Sequence, residues 1–433
     1  MKLSLRYLHF LLLIPGLLIL GMPDSGYAQN MADSLSSKIN CIPKDIQDIV
    51  FKRDDNKSFK VSKKTQVFVI PLAGFSPSTS LSFGAGTMVS WYMGKDNLTK
   101  LSAGNASVQY TLKNQVKIQL KTNVLFFRNN WFLQTDWRLY IFNLPTYGLG
   151  TSDGDVIEPI PGNNSFSSFH EMKNIAYPMD FNWVKFHNVL TRRIITDVFV
   201  GVGYHFDYHY GIVDELLDTA NAAFTPHYSY SVNNGFYPKS YITSGVSANV
   251  VYDSRDNSIN PYKGIFAQVS YKFCPTYFGS SQNSSVLWTE FRTYVGLSSR
   301  SPRHLLAFWT YGSFLLSGKV PYLDLMATGF DQMNSSGRGY LLGRWRGEDI
   351  IYGEIEYRFP ISRCSDIVGG VLFANVTTAS NRGMGVPVFK YIKAAAGFGI
   401  RIMLNKHDRT NLLIDFGLGG ETTGLYIQAQ EIF

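Results

Sequence analysis

The sequence predicts an all-β chain, a transmembrane antiparallel β-barrel of about 16 strands. Three observations lead there. Aromatic residues make up 15% of the chain, with 26 Tyr and 31 Phe, and 38 Gly accompany them. Beyond the N-terminal leader, no stretch is long and apolar enough for a spanning helix of about 20 residues. From Thr65 onward, short segments alternate apolar and polar residues and are separated by Gly, Pro, Asn and Asp. A barrel wall has lipid on one side and water on the other, so it imposes this period of two.

The chain opens like a secretory leader. Lys2 and Arg6 flank the start of an apolar run, Leu8 to Leu20, and Gly26-Tyr27-Ala28 offers small residues for cleavage. Residues 1–28 therefore read as a signal peptide. Residues 29–64 are polar, with a short apolar segment from Ile46 to Phe51, and read as a short periplasmic lead carrying one short helix. The barrel occupies residues 65–433.

Candidate strands follow in order: Thr65 to Phe75, Thr79 to Met93, Asn105 to Leu112, Val116 to Phe127, and Trp131 to Asn143. Next come Phe181 to Thr191, Ile195 to His209, Tyr241 to Tyr252, Gly264 to Phe273 and Val286 to Ser299. The rest are Leu305 to Leu316, Ile351 to Phe359, Asp366 to Val376, Lys390 to Leu404, Asn411 to Leu418 and Thr423 to Phe433. If the first strand starts from the periplasm, short turns should follow even strands. Arg128-Asn129-Asn130, Ser301-Pro302-Arg303 and Asn405-Lys406-His407-Asp408 fit. The long connections, Leu144 to Asp180 among them, follow strands five, seven, nine, eleven and thirteen and face outside.

One external connection is cationic. Gly337-Arg338-Gly339-Tyr340-Leu341-Leu342-Gly343-Arg344-Trp345-Arg346-Gly347 holds four glycines and three arginines. The strand after it places Tyr352, Glu354, Glu356 and Arg358 on one face. Three charges on one strand face cannot sit in a dry core without partners. A water-filled lumen accepts them, and a loop folded inward would neutralise them, which gathers Arg344, Arg346, Glu354 and Arg358 into a lumen charge cluster.

These motifs resemble the bacterial surface antigen family, which includes outer-membrane barrel-assembly translocases of the Bam/Tam type and two-partner-secretion translocators. The lead is too short for one periplasmic repeat, so the resemblance is to a subtype without POTRA domains. It implies that the loop is the sixth extracellular loop, folded into the barrel as a latch. Arg338, followed by Gly339 and Tyr340, would meet Glu356. The second carboxylate of the family, an Asp in Phe-x-Asp-x-Gly, is missing from Phe373-Ala374-Asn375-Val376-Thr377. Asn375 would then accept a hydrogen bond from the guanidinium, leaving Arg338 one charged partner and Glu354 to meet Arg344 or Arg346. On that reading Asn375→Asp is tolerated or strengthens the latch.

Tyr252-Asp253-Ser254-Arg255-Asp256-Asn257, with Pro261 and Gly264, resembles the family's turn between strands eight and nine. Gly397-Phe398-Gly399-Ile400-Arg401 and Asp415-Phe416-Gly417 also match, and Phe433 stands where a barrel-assembly signal would. Leu425, Ile427, Ala429 and Phe433 would share the outer face of the last strand, with Gln428 and Gln430 inward. The family implies a Gram-negative outer membrane and insertion or export of protein or lipid through a weak seam between first and last strands. Implied partners are outer-membrane lipid, the barrel-assembly machinery during biogenesis and a periplasmic protein. No cofactor is implied.

Other chemistry is thin. His205, Asp207 and His209 share a strand face, but ligands at that spacing spread over ~13 Å, too far for one metal ion. A polar lumen face is the expected reading, with no metal and no enzymatic role. Cys41, Cys274 and Cys364 are an odd set without metal-type spacing and read as structural or incidental. The net charge of +8 is scattered, with no basic helix or dense run, which excludes nucleic acid as a partner. The alternatives are a passive outer-membrane channel and a barrel enzyme that would depend on His205 or His209.

Overall fold

The computed structural model describes residues 44–50, 65–76, 80–94, 99–152, 176–299, 301–362, 365–420, 422–429 and 431–433. The leader, most of the lead, Cys41 and Cys364 lie outside the described residues, and Cys274 is a buried free thiol.

All sixteen expected strands are present, in one antiparallel sheet whose neighbours follow chain order. They are β1 (Gln66–Ser76), β2 (Ser80–Trp91), β3 (Ser102–Thr111), β4 (Val116–Phe126) and β5 (Trp131–Asn143). β6 (Met179–Ile195), β7 (Val198–Asp214), β8 (Ser240–Asp253), β9 (Gly264–Cys274) and β10 (Ser284–Gly296) follow. The sheet ends with β11 (Leu305–Gly318), β12 (Asp349–Pro360), β13 (Val368–Ala379), β14 (Lys393–Asn405), β15 (Thr410–Gly419) and β16 (Thr423–Ala429). β6 and β7 outrun their expected bounds at both ends or the outer end. The ladder persists where the side chains have left the apolar band, as at exposed Arg192 to Ile195.

β1 and β16 lie side by side. Among the described residues, however, no ladder joins them. Pro71 sits within β1 and has no N–H to donate, which suits an edge strand. Among the described residues, no helix is long and apolar enough to cross a membrane.

Among the described residues there are two short α-helices, α1 (Ile46–Val50) in the lead and α2 (Pro226–Asn233) in the loop after β7, a stretch expected to be irregular. α2 has a local cause. Thr225 Oγ1 accepts from the Tyr228 N–H at 3.2 Å, and Pro226 opens the helix with its φ already set.

Packing is inverted relative to a soluble protein. Val202, Leu372 and Phe398 face outward and exposed, while Tyr294, Trp309, Tyr311, Tyr352 and Phe433 form a buried cluster inside. That cluster corrects one expectation. β16 stops at Ala429, and Glu431 to Phe433 turn into the lumen instead of continuing the strand. Phe433 is only 2% exposed, its ring 5.3 Å from Trp309 and its carbonyl accepting from Arg358 Nη2 at 3.2 Å. The inward residues Glu431 and Phe433 find ionic and aromatic partners there, which a lipid face could not supply.

Candidate functional site

The loop between β11 and β12 crosses the lumen, and two glycines let it do so. Gly337 and Gly339 flank Arg338 with φ of 80° and 102°, a region that disfavours other residues. The loop backbone rests directly on β15. A Cβ added at Gly417 would lie 2.7 Å from Gly339 N, so only glycine permits this approach. Gly339 N donates to Tyr426 Oη at 2.9 Å, and Thr422 Oγ1 donates to Gly339 O at 2.8 Å.

This places the Arg338 guanidinium, 1% exposed, among three carboxylates. Nη2 donates to Glu354 and to Glu356, and Nη1 donates to Asp415 Oδ2 at 2.5 Å. The Phe373 ring lies beneath it, 3.6 Å from its centroid to the guanidinium carbon. The network continues in both directions. Glu356 accepts from Arg358 Nε at 2.7 Å. Asp415 accepts from Arg401 Nη1 at 2.5 Å, and Arg401 Nε reaches Glu431 at 2.8 Å. Three guanidiniums thus interlock with four carboxylates from β12, β15 and the C-terminal tail. Charge-assisted bonds of this kind offset the desolvation that a lone buried arginine would suffer.

The geometry corrects the sequence expectation in three respects. Arg338 has three charged partners, not one. The missing carboxylate comes from β15, two strands beyond the expected place, in Asp415-Phe416-Gly417. Asn375 does not accept from the guanidinium. Its Nδ2 donates to the Arg338 main-chain oxygen at 2.9 Å. Glu354 meets Arg338 and accepts from Tyr352 Oη, rather than meeting Arg344 or Arg346.

Those two arginines hold the loop itself. Arg346 Nη1 donates to the carbonyls of Tyr322, Leu323 and Leu325 at 2.9–3.0 Å, and Arg344 lies over the Trp345 ring at 4.0 Å. Tyr340 Oη donates to Ala394 O at 2.6 Å. Tyr352, Phe373 and Arg401 stood in motifs read from the sequence without a role assigned to them, and Tyr426 was not named at all. The Asp-x-Gly spacing at Asp415 was the one available signal.

The loop also touches the opposite wall. Lys121 Nζ donates to Gln332 O at 2.7 Å, Arg138 Nη2 to Asp331 O at 2.9 Å, and Asn334 Nδ2 to Gln119 Oε1 at 2.8 Å. His205, Asp207 and His209 all face inward but each has its own partner. His205 Nε2 lies 2.7 Å from Ser247 Oγ, Asp207 2.6 Å from His187 Nε2, and His209 Nδ1 3.0 Å from Asp324. Among the described residues, no group of three or more metal-ligating side chains is gathered. The string Gly150-Thr151-Ser152-Asp153-Gly154 has the spacing of a hydrolase elbow. Gly150 to Ser152 lie in the loop after β5, and Asp153 and Gly154 lie outside the described residues.

Residues 82–406 match the Omp85 superfamily domain. The chain belongs to the Omp85 superfamily. It is accordingly a β-barrel of the bacterial outer membrane. Among solved structures, this Omp85 chain is similar to BamA from Haemophilus ducreyi lacking POTRA domains 1–3. That likeness has 15% identity, covers 85% of this chain and 69% of that one, and has a TM-score of 0.49. It is also similar to CdiB from Acinetobacter baumannii, at 12% identity, 85% and 59% coverage and a TM-score of 0.47. No curated protein matches the sequence.

Proposed function

We propose that this Omp85 barrel inserts or exports protein or lipid at the outer membrane by opening its wall between β1 and β16. The observation behind the reading is the bare seam. Every other neighbouring pair of strands is joined by a ladder, and this pair, among the described residues, is not. Backbone N–H and C=O groups left bare in lipid each cost several kcal/mol. Two facing edges that no ladder joins among the described residues are therefore the weakest line in the wall. They are also a template on which an incoming strand can pair.

The test is client folding in lipid vesicles. An unfolded outer-membrane barrel should fold several-fold faster into vesicles carrying this chain than into empty ones. A covalent cross-link between β1 and β16 should remove the gain. Equal rates with and without the chain would overturn the reading.

A passive channel is the second reading, favoured by two lumenal cavities of about 160 and 210 Å³. The loop crossing at Asp331 to Asn334 stands against it. Planar-bilayer recordings separate the two: a channel gives steady conductance, whereas the seam reading expects a quiet membrane until the loop is shortened.

A further inference from the structure

The periplasmic end of the barrel is fastened by contacts that cross the bare seam. Ser90 is on β2, beside the first lip, and its Oγ donates to Asp408 Oδ2 at 2.9 Å. Asp408 belongs to the short turn between β14 and β15, on the second lip. Next to it, Thr410 Oγ1 lies 3.6 Å from Met88 Sδ.

A second piece of chain lies over both lips. The turn between β8 and β9 starts half-way round the sheet, yet Ile259 packs with Met88 and Leu101. Ser258 Oγ donates to Leu101 O at 3.1 Å. The same turn grips the other lip. Asn257 Nδ2 donates to Asp408 O at 3.2 Å, Arg409 Nη1 donates to Asp256 Oδ2 at 2.7 Å, and the Arg409 guanidinium lies 4.2 Å from the Tyr262 ring centroid. This strap is stiffened from within. Asn257 Oδ1 accepts from the N–H groups of Ile259 and Asn260, and Asp256 Oδ1 from those of Tyr262 and Lys263.

We propose that the β14–β15 turn, strapped by the β8–β9 turn, is a periplasmic clasp that keeps the two lips of the seam together. The clasp also has a handle. Lys406, two residues before Asp408, donates its N–H to Asp45 at 3.1 Å and its ammonium to Asp48 at 2.8 Å, which ties the turn to α1. Both grips sit on one tight turn, so a displacement of α1 reaches the Ser90–Asp408 bond without an intermediary. A periplasmic partner that moves α1 would thereby release the seam from below. The clasp rests on the reading of β1 and β16 as a seam that opens.

The test measures the distance between the lips in the full chain. Spin labels at Val67→Cys and Ile427→Cys, both outward-facing, report the separation of β1 and β16, with the three native cysteines replaced by Ala. Heat-dependent gel mobility confirms that each variant is folded. Ser90→Ala, Arg409→Ala and Lys406→Ala should each add a longer-distance population, and should lower the urea concentration at which the labels part. Arg409 is partly exposed, so Arg409→Ala removes little buried packing and serves where a more buried variant fails to fold.

Labels that part under urea at the same midpoint in all variants would overturn the clasp and leave the seam standing. Labels that never part before global unfolding would overturn the seam reading, and the clasp with it.

Discussion

The two walls that flank the seam are lined on opposite principles. From β12 to β15 the lumen face is ionic, with Arg338, Arg358 and Arg401 set among Glu354, Glu356, Asp415 and Glu431. From β3 to β4 it is mostly amide and hydroxyl, with Asn105, Ser107, Gln109, Gln119 and Asn123 beside the Lys121 cation lining a cavity of about 210 Å³. An amide exchanges a protein partner for water at little net cost, whereas a buried guanidinium stripped of its carboxylates cannot. One lip of the seam is therefore bolted to the loop by a buried charge network, whereas the wall behind the other meets it through single bonds at Lys121 and Gln119.

The largest effect should follow Arg338→Ala, which leaves the buried carboxylates short of a cation. We expect a loss of about 3–5 kcal/mol, read as a lower urea midpoint and a smaller heat-modifiable fraction. An unchanged midpoint would mean the ionic wall does not hold the loop. Glu356→Gln should cost more than Asn375→Ala, since the former serves two arginines and the latter one carbonyl. Asn375→Asp is now expected to weaken the site, because it sets a carboxylate oxygen against the Arg338 carbonyl. That reverses the sequence expectation.

The tail should give the next effect, and it depends on pH. Burial alone would raise the Glu431 carboxyl, yet Arg401 and Arg358, with a bond from Asn411, hold it down to about 2. A carboxyl lowered on folding stabilises fully above its ordinary 4.5, and that contribution fades as pH falls toward 2. Acid should therefore loosen the tail in this window, visible as a change in tryptophan fluorescence from Trp309 beside Phe433. Glu431→Gln should flatten that step; a step that survives it belongs to another group.

Gly417→Ala probes the contact between wall and loop without touching charge. Its new methyl would press on the Gly339 backbone, with an expected cost of about 1–3 kcal/mol and faster trypsin cleavage after Arg338. The smallest effect should come from the amide wall. Gln109→Ala should shift stability by no more than about 0.5 kcal/mol. A loss as large as that of Arg338→Ala would erase the distinction between the two walls.

The strands were legible because the lipid–water boundary writes itself into alternation. β5 matches its expected span from Trp131 to Asn143 at both ends. The inward charge of Glu354, Glu356 and Arg358 was legible for the same reason. What alternation cannot carry is the identity of a partner on another strand. Arg338 could be paired with Glu356 because the strand follows the loop directly, but Asp415 lies 77 residues on, across three intervening strands. The tail failed differently. Period two extends a strand as far as the letters allow, and nothing local at Phe433 reveals that Trp309 and Arg358 wait inside. The α2 helix was missed because Thr225-Pro226 is a start signal without an amphipathic face behind it.

That separation of 77 residues between Arg338 and Asp415 bears on the order in which the chain is made into a barrel. Contacts this distant in sequence close late, since a long loop must be ordered before they repay it. A guanidinium seated on β12 beforehand takes up each carboxylate as its strand is added, without a later passage down a largely filled lumen. The last four strands should therefore wrap around a loop already seated on β12. In pulse-labelled hydrogen exchange, the amides of Gly339 and β12 would gain protection before those of β15. The sixth loop, on this view, is the mandrel of the barrel rather than an ornament added once it has closed.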